Sequence, residues 1–358
     1  MTTPPPVSTT RPNDGSLSND DAETGTNVAP TSSLFHSVER LITPSSTETA
    51  VPEQAAGGFA GTFNSMNPTL AVLKVTALQQ AVGHPVAYAR VLMQMGYEPL
   101  PAYRGKTLFG KESLFYPNVF RYLKYVYNID GCTGLYRGFG CALLSKMVCW
   151  YTTTKVEELL GPVELTVPND ETKPRWDICI KKTLREVRCQ SWGILLSHPF
   201  QVMAIRSMGQ FIGREKIYSS INIFQNFQEI YNHQGIGGFF VGLIPRWLLE
   251  IATIVISNMI IHMLKLQLPT QTEMIPIYEY IAAFVAQTFT YPLSVVTTVA
   301  AVNGSGLRAG RLPVSPIYAN WQDAYKQLGK AEQLKRGSSF FNRAAIGIPA
   351  SGTLLRHA

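Results

Sequence analysis

The residues of this chain that could do chemistry are charged side chains set within long apolar stretches. Lys182, Arg185 and Glu186 share one face of a predicted helix, and Arg90 lies in an earlier one. A charged side chain at the centre of a bilayer costs about 2.5–3.5 kcal/mol on insertion scales. These charges are therefore expected to pair with one another, lie near the membrane interface or face an aqueous cavity.

Five stretches are long enough to cross about 30 Å of hydrocarbon as helices, although each carries polar residues at helical spacing. Polar stripes on successive helices would line one wet groove. The five stretches are 70–94, 134–160, 176–208, 239–268 and 275–302. The predicted groove residues are Arg90, Lys182, Arg185, Glu186, His198, Arg206, Glu250 and Tyr291.

Motifs of soluble enzymes are absent from the sequence. There is no Walker loop, no GxGxxG, no GxSxG and no HExxH, and the five Cys form no CxxC pair. Charged residues are 15% of the chain, against about 25% in a typical soluble protein. We therefore expect neither an enzyme nor a metal or cofactor site, and no nucleic-acid partner.

The first 67 residues differ in composition from the rest of the chain. They are rich in Pro, Ser and Thr and carry a net charge of −5, so the remaining residues carry +12. Such a segment buries too little apolar surface to offset its chain entropy. The sequence therefore predicts a disordered acidic tail over 1–67.

An internal repeat organises the rest of the chain into three units, each built around a proline inside an apolar stretch. A proline inside a membrane helix kinks it and frees a carbonyl. Downstream of each proline, by 53, 43 and 45 residues, lies a glycine that predicts the entry to another helix. The units are predicted at 68–165, 166–268 and 269–358. The prolines are Pro85, Pro199 and Pro292, and the glycines are Gly138, Gly242 and Gly337.

These repeats resemble those of the mitochondrial carrier family, in which each odd helix carries Pro-x-acidic-x-x-basic-x-basic. The resemblance covers about residues 68–343, with good matches at 130–138 and 238–246. It implies a pseudo-threefold bundle of six helices, whose gate closes through ion pairs between the acidic and basic positions. No repeat keeps its pair here, so an exchange cycle that closes on opposite charges is not expected. The three acidic positions are occupied by Ala87, Gln201 and Ser294.

The sixth helix of such a bundle is predicted to be missing or degraded. The segment 338–358, after Gly337, contains Asn342, Arg343 and Pro349, which suit a membrane helix poorly. The predicted fold is thus an all-α, mitochondrial-carrier-like bundle with a hydrophilic groove that opens sideways to lipid. Both departures resemble the divergent outer-membrane branch of the family, the mitochondrial carrier homologs of the second type. The strings at 96–101, 198–215 and 301–303 resemble that branch as well.

The resemblance implies a multi-pass protein of the mitochondrial outer membrane that inserts α-helical, often tail-anchored, proteins. It also implies lipid scrambling and the recruitment of apoptotic BH3 proteins. The residues favour insertion independently, because a wet groove lets a polar flank avoid hydrocarbon while the apolar helix of the substrate enters the bilayer. Burial of that helix, at about 25 cal/mol per Å², supplies the energy, so no ATP or cofactor is needed.

Two other functions stay open on the sequence alone: a solute carrier with degraded motifs, and a docking receptor that uses the acidic tail or the groove. Single residues are open as well. Arg90 is either a relic of the carrier motif or a groove residue, and Glu250 either pairs with Arg246 or faces the groove. His84 and His198 each precede a kink proline, which favours a structural role over ligand binding.

Overall fold

The computed structural model describes part of the chain. The described residues are 68–106, 112–161, 176–219, 222–267, 275–312, 314–341 and 343–344. The chain divides into two units, Met1–Pro30 and Thr31–Ala358, and every described residue belongs to the second. The tail predicted over 1–67 lies outside the described residues, and the boundaries of the three units stay predictions.

Five long helices in the described residues coincide with the five apolar stretches. The shortest has 22 residues, or about 33 Å of axial length, which is enough to cross a bilayer. Of three shorter helices, two lie between long helices and the third follows the last of them. The long helices are α1 (Pro68–Gln94), α3 (Phe139–Leu160), α4 (Trp176–Gly213), α6 (Leu243–Gln267) and α7 (Ile275–Val302). The short ones are α2 (Val119–Gly134), α5 (Ile223–Gln234) and α8 (Trp321–Lys330).

The long helices differ in how apolar they are. Among the described residues, two segments pass a test of length and composition for crossing a membrane, Ile236–Gln267 and Ile275–Val302. The other three are long enough but have a lower mean hydropathy. Large apolar side chains nevertheless point away from the bundle on several helices, such as Val82 on α1, Trp192 on α4 and Phe284 on α7.

One hydrogen bond recurs in all three repeats. The side chain before each kink proline bonds to the backbone carbonyl immediately before the glycine of the same repeat. Each of these glycines has a left-handed φ, between +69° and +79°, which favours glycine because it has no Cβ. We call this bond the repeat latch. Its members are His84 Nε2 to Arg137 O (3.1 Å), His198 Nε2 to Val241 O (3.1 Å) and Tyr291 Oη to Arg336 O (2.5 Å).

The C-terminal halves of α1, α4 and α7 meet at what we call the convergent end of the bundle. Buried apolar side chains fill it, including Leu92, Val202 and Val302. Gln94 of α1 donates to Ser294 Oγ of α7 at 3.1 Å and also bonds to Tyr291 and Thr298. Apolar packing and hydrogen bonds to neutral acceptors therefore hold the described residues of this end together, at the place where the family motif has ion pairs.

The expectation of an all-α fold is wrong in one detail, because three short strands form an antiparallel sheet in the order β1-β2-β3. Aromatic and branched residues at 114–116 favour strand over helix. The strands are β1 (Tyr103–Lys106), β2 (Glu112–Tyr116) and β3 (Arg343–Ala344).

The third repeat continues differently from the first two. In the first two repeats a helix begins at the residue after the glycine, Gly138 or Gly242. In the third repeat, residues 338–341 are non-helical and lead to β3. Residues 345–358 lie outside the described residues, so the loss of the sixth helix stays a prediction.

Two contacts outside the long helices join the third repeat to the first: the pairing of β3 with β2, and an ion pair. Arg343 contacts the carboxylate of Glu98 and donates to Pro117 O at 2.9 Å. Val119 N donates to Phe340 O at 2.9 Å. Burial raises the pKa of Glu98 to about 7, although Arg343 beside it acts in the opposite direction.

We expect the folded protein to become less stable as the pH rises, because burial favours the protonated form of Glu98. The pKa of Glu98 is raised from 4.5 to about 7 on folding, so the stability gained by keeping this carboxyl protonated is fully present below about pH 4.5 and is lost as the pH rises through 7. Glu98→Gln should flatten this dependence. Thermal unfolding in detergent between pH 5 and 8 measures it, and an equal slope in both proteins would contradict the assignment.

Candidate hydrophilic groove

A central cavity of about 450 Å³ lies between the five long helices. Its lining combines charged, amide and hydroxyl groups from every one of these helices. The helices expose apolar side chains on their outer faces, so the bundle combines an apolar exterior and an apolar convergent end with a polar cavity between the helices. Such an arrangement suits a water-filled path in a membrane.

Cations concentrate near the convergent end of the central cavity. Arg90 lies in the last turns of α1, Lys146 in the first half of α3 and Arg246 in the first turn of α6, and all three line the cavity. Glu250 is the acid nearest to them along α6, whereas Glu279 lines the cavity near the start of α7, at the opposite end. The convergent end of the cavity therefore has an excess of positive charge.

The side chain of Arg246 is held by the latch of the second repeat. It donates to Ser197 Oγ at 3.1 Å and to His198 Nδ1 at 3.3 Å. Since Nε2 of the same ring bonds to a carbonyl oxygen, His198 must carry its proton on Nε2 and accept on Nδ1. His198 thus acts as a neutral bridge between a backbone carbonyl and Arg246.

Glu250 faces the central cavity, which was one of its two predicted positions. It lies one helical turn from Arg246 and interacts with it electrostatically. Among the ion pairs of the described residues, however, none within 4.0 Å joins the two side chains. The carboxylate of Glu250 therefore remains accessible to whatever enters the cavity.

Five of the eight predicted groove residues lie outside the lining of the central cavity: Lys182, Arg185, Glu186, His198 and Arg206. Glu186 is buried against α6, where Asn258 Nδ2 donates to its Oε2 at 2.6 Å. Lys182 Nζ is 4.0 Å from Glu186 Oε1, and Arg185 donates to the carbonyl of Glu157 at 3.1 Å. A pair within α4 and contacts with α3 and α6 account for these charges, as the pairing alternative in the sequence allowed.

Sequence comparison supports the architecture. The model of the family described as "Mitochondrial carrier protein" matches residues 61–161 and 191–271. The chain is 36% identical to "Mitochondrial carrier homolog 2" of Mus musculus over 276 residues, covering 73% of this chain and 89% of that protein. Identity to the Homo sapiens homolog 2 is 35% with the same coverage. Identity to "Mitochondrial carrier homolog 1" of Mus musculus is 32% over 292 residues, 75% of each chain.

The chain belongs to the mitochondrial carrier homologs of the mitochondrial carrier family. This membership indicates a mitochondrial membrane protein. It also allows the gate positions to be compared with those of carriers, because the acidic and basic residues of the carrier motif would lie at the convergent end. In this homolog, Gln94, Ser294 and Thr298 make that contact through neutral groups.

Arg206 occupies a basic position of the carrier motif, but the structure places it in the core rather than in the groove. Its side chain is fully buried. Its Nε donates to Ala301 O at 2.9 Å, and its Nη2 donates to Gln234 Oε1 at 2.5 Å and Gly238 O at 3.3 Å. Arg206 therefore ties α4 to α7 and to the end of α5, because no acidic partner is left at the motif position.

Several lining residues escaped the sequence reasoning. Lys146 and Asn258 line the cavity, as do three α3 residues at intervals of four, Ser145, Cys149 and Thr153. The spacing of these three was a usable signal, since residues four apart lie on one helix face. Asn258 gave no signal, because a single amide in an apolar stretch does not reveal its partner.

Arg206→Leu should destabilise the protein far more than Arg90→Leu. The first change leaves two buried carbonyls and one partly buried amide oxygen without this donor, at a cost of about 3 kcal/mol. The second removes a half-buried side chain that makes no ion pair, and surface-like changes of this kind cost about 0.5 kcal/mol. Thermal unfolding of the two purified variants in detergent gives the comparison. Equal losses would show that Arg206 has no special part in the core.

Proposed function

We propose that this protein is a multi-pass insertase of the mitochondrial outer membrane, acting on tail-anchored and other α-helical proteins. The observation that carries the proposal is the charged, hydroxyl-lined central cavity inside a bundle whose outer faces are apolar. A cavity of this kind offers water and hydrogen bonds at a depth where lipid offers none. It is therefore the groove through which a polar flank would move.

The proposed mechanism separates the two parts of a substrate. The polar flank enters the central cavity and exchanges hydration water for side chains such as Gln287, Thr290 and Ser294. The apolar helix leaves through the side of the bundle between α1 and α7, where the described residues after Gly337 supply no helix. Burial of the substrate helix, at about 25 cal/mol per Å², drives the step without ATP or bond-making chemistry.

The same path would suit phospholipids, whose head groups are polar and whose acyl chains stay in the hydrocarbon. Lipid scrambling is therefore part of the proposal. Recruitment of apoptotic BH3 proteins is proposed from the relation to the carrier homologs alone. A solute exchange cycle is disfavoured, because the convergent end is closed by apolar packing around Leu92 and Val302 that no opposite charges could open and close.

Arg90→Glu should reverse the charge preference of insertion with little effect on stability. Arg90 lines the central cavity, and reversing its charge would attract basic flanks and repel acidic ones. The test uses the purified protein in liposomes, a fluorescent tail-anchored substrate and protease protection, with empty liposomes as the baseline. Unchanged insertion of substrates with differing flank charge would remove Arg90 from the site.

Glu250→Lys should lower the insertion of substrates with basic flanks by about tenfold, which corresponds to roughly 1.4 kcal/mol. Among the described lining residues, Glu250 is the one acid near the three cavity cations, and the change replaces it with a cation. Glu332→Lys is the matched control, because Glu332 is exposed and lies outside the cavity lining. A purely structural Glu250 would instead give a lower yield of folded protein, with normal insertion per molecule.

A further inference from the structure

Arg90 and Arg246 are fixed by different contacts: Arg246 by hydrogen bonds, and Arg90 by an aromatic ring. The guanidinium carbon of Arg90 lies 4.5 Å from the centroid of the Phe340 ring, while its buried Nε has no hydrogen-bond partner. Among the ion pairs of the described residues, none includes Arg90. A ring face attracts a cation without occupying its N–H donors. The charge of Arg90 is therefore held in place but not neutralised.

Phe340 is itself firmly placed. Its carbonyl accepts a hydrogen bond from Val119 N at 2.9 Å, and its ring packs against the buried core. Just before it, Gly337 lies so close to α1 and α7 that a Cβ there would approach Met93 Cβ and Tyr291 Oη to 3.2 Å. The segment that leads to β3 thus carries a fixed aromatic ring to the last turns of α1.

The surroundings of Arg90 favour an anion. Lys146 and Arg246 line the same end of the central cavity, and Arg246 is already bonded to Ser197 and His198. A guanidinium group presents a planar pair of donors that matches a carboxylate. A phospholipid phosphate is attached to two acyl chains, which hinder its entry into a recessed position. A carboxylate on a flexible peptide flank has no such chains, so it is the favoured ligand of Arg90.

We propose that Phe340 is a positioning residue that holds Arg90 as the cation of a carboxylate subsite at the convergent end of the central cavity. The subsite receives acidic side chains that flank the helix of an inserted substrate. This inference rests on the proposed insertase function and adds a specificity determinant to it. It assigns a function to the segment after Gly337, which in the carrier repeat leads into a sixth helix.

The experiment measures charge preference rather than total yield. The full-length protein in uncharged liposomes is given two tail-anchored substrates that differ only in an acidic or a basic flank. The readout is the ratio of protease-protected acidic to basic substrate. Phe340→Leu should lower this ratio roughly threefold, the effect of losing a cation–π contact, and Phe340→Tyr should restore it. Phe341→Leu is the matched control, since its ring is 64% exposed and packs near Phe120 instead.

A double variant separates positioning from folding. In an Arg90→Gln background, Phe340→Leu should leave the ratio unchanged, because the cation it positions is gone. Equal ratios for Phe340→Leu and Phe341→Leu would overturn the inference while leaving the insertase intact. A change confined to scrambling of phosphate lipids would also overturn it, in favour of a lipid ligand. If the wild-type protein protects no more substrate than empty liposomes do, the proposed function itself fails.

Discussion

The repeat latch is the contact on which the rest of the bundle depends. A proline inside a helix bends it and removes one backbone donor, so a kinked helix needs a partner near the bend. In each repeat the side chain before the proline forms a contact near the bend, by donating a hydrogen bond to the carbonyl before the left-handed glycine. The bend of one helix thereby fixes where the next segment of the chain begins. With three such bends, α1, α4 and α7 converge at one end and diverge at the other, which leaves the central cavity between them.

Closure of the convergent end by apolar packing and hydrogen bonds, without the ion pairs of the carrier motif, changes what the cavity can do. An ion-paired gate can open when a substrate competes for its charges, whereas a substrate has no comparable way to displace the packing of an apolar core. In this protein the remaining cations of the motif, Arg206 and Arg90, make other contacts. Arg206 binds backbone carbonyls in the core, and Arg90 lies over an aromatic ring at the cavity wall. The carrier architecture is thus retained while its switch is lost.

The sequence alone predicted the five long helices, the kink prolines and the glycine of each repeat, because these features have local causes. It predicted the cavity positions of Arg90, Glu250 and Tyr291 from helical spacing. It could not separate cavity-facing charges from charges paired between helices, since Glu186 and Asn258 are 72 residues apart. It also gave no sign of β3, whose two residues pair with a strand more than 200 positions earlier. Spacing identifies a helix face, but only the packing of neighbours decides what that face contacts.

The pairing of Glu98 with Arg343 has a consequence for how the protein is made. The two residues are 245 positions apart, so the surface of the first repeat cannot be completed until residue 343 has left the ribosome. Until then the carboxylate of Glu98 and one edge of β2 lack their native partners. Contacts of such long range also form slowly. The first repeat must therefore persist through most of translation in an unfinished form, which exposes it to chaperones and quality control for longer than the later repeats.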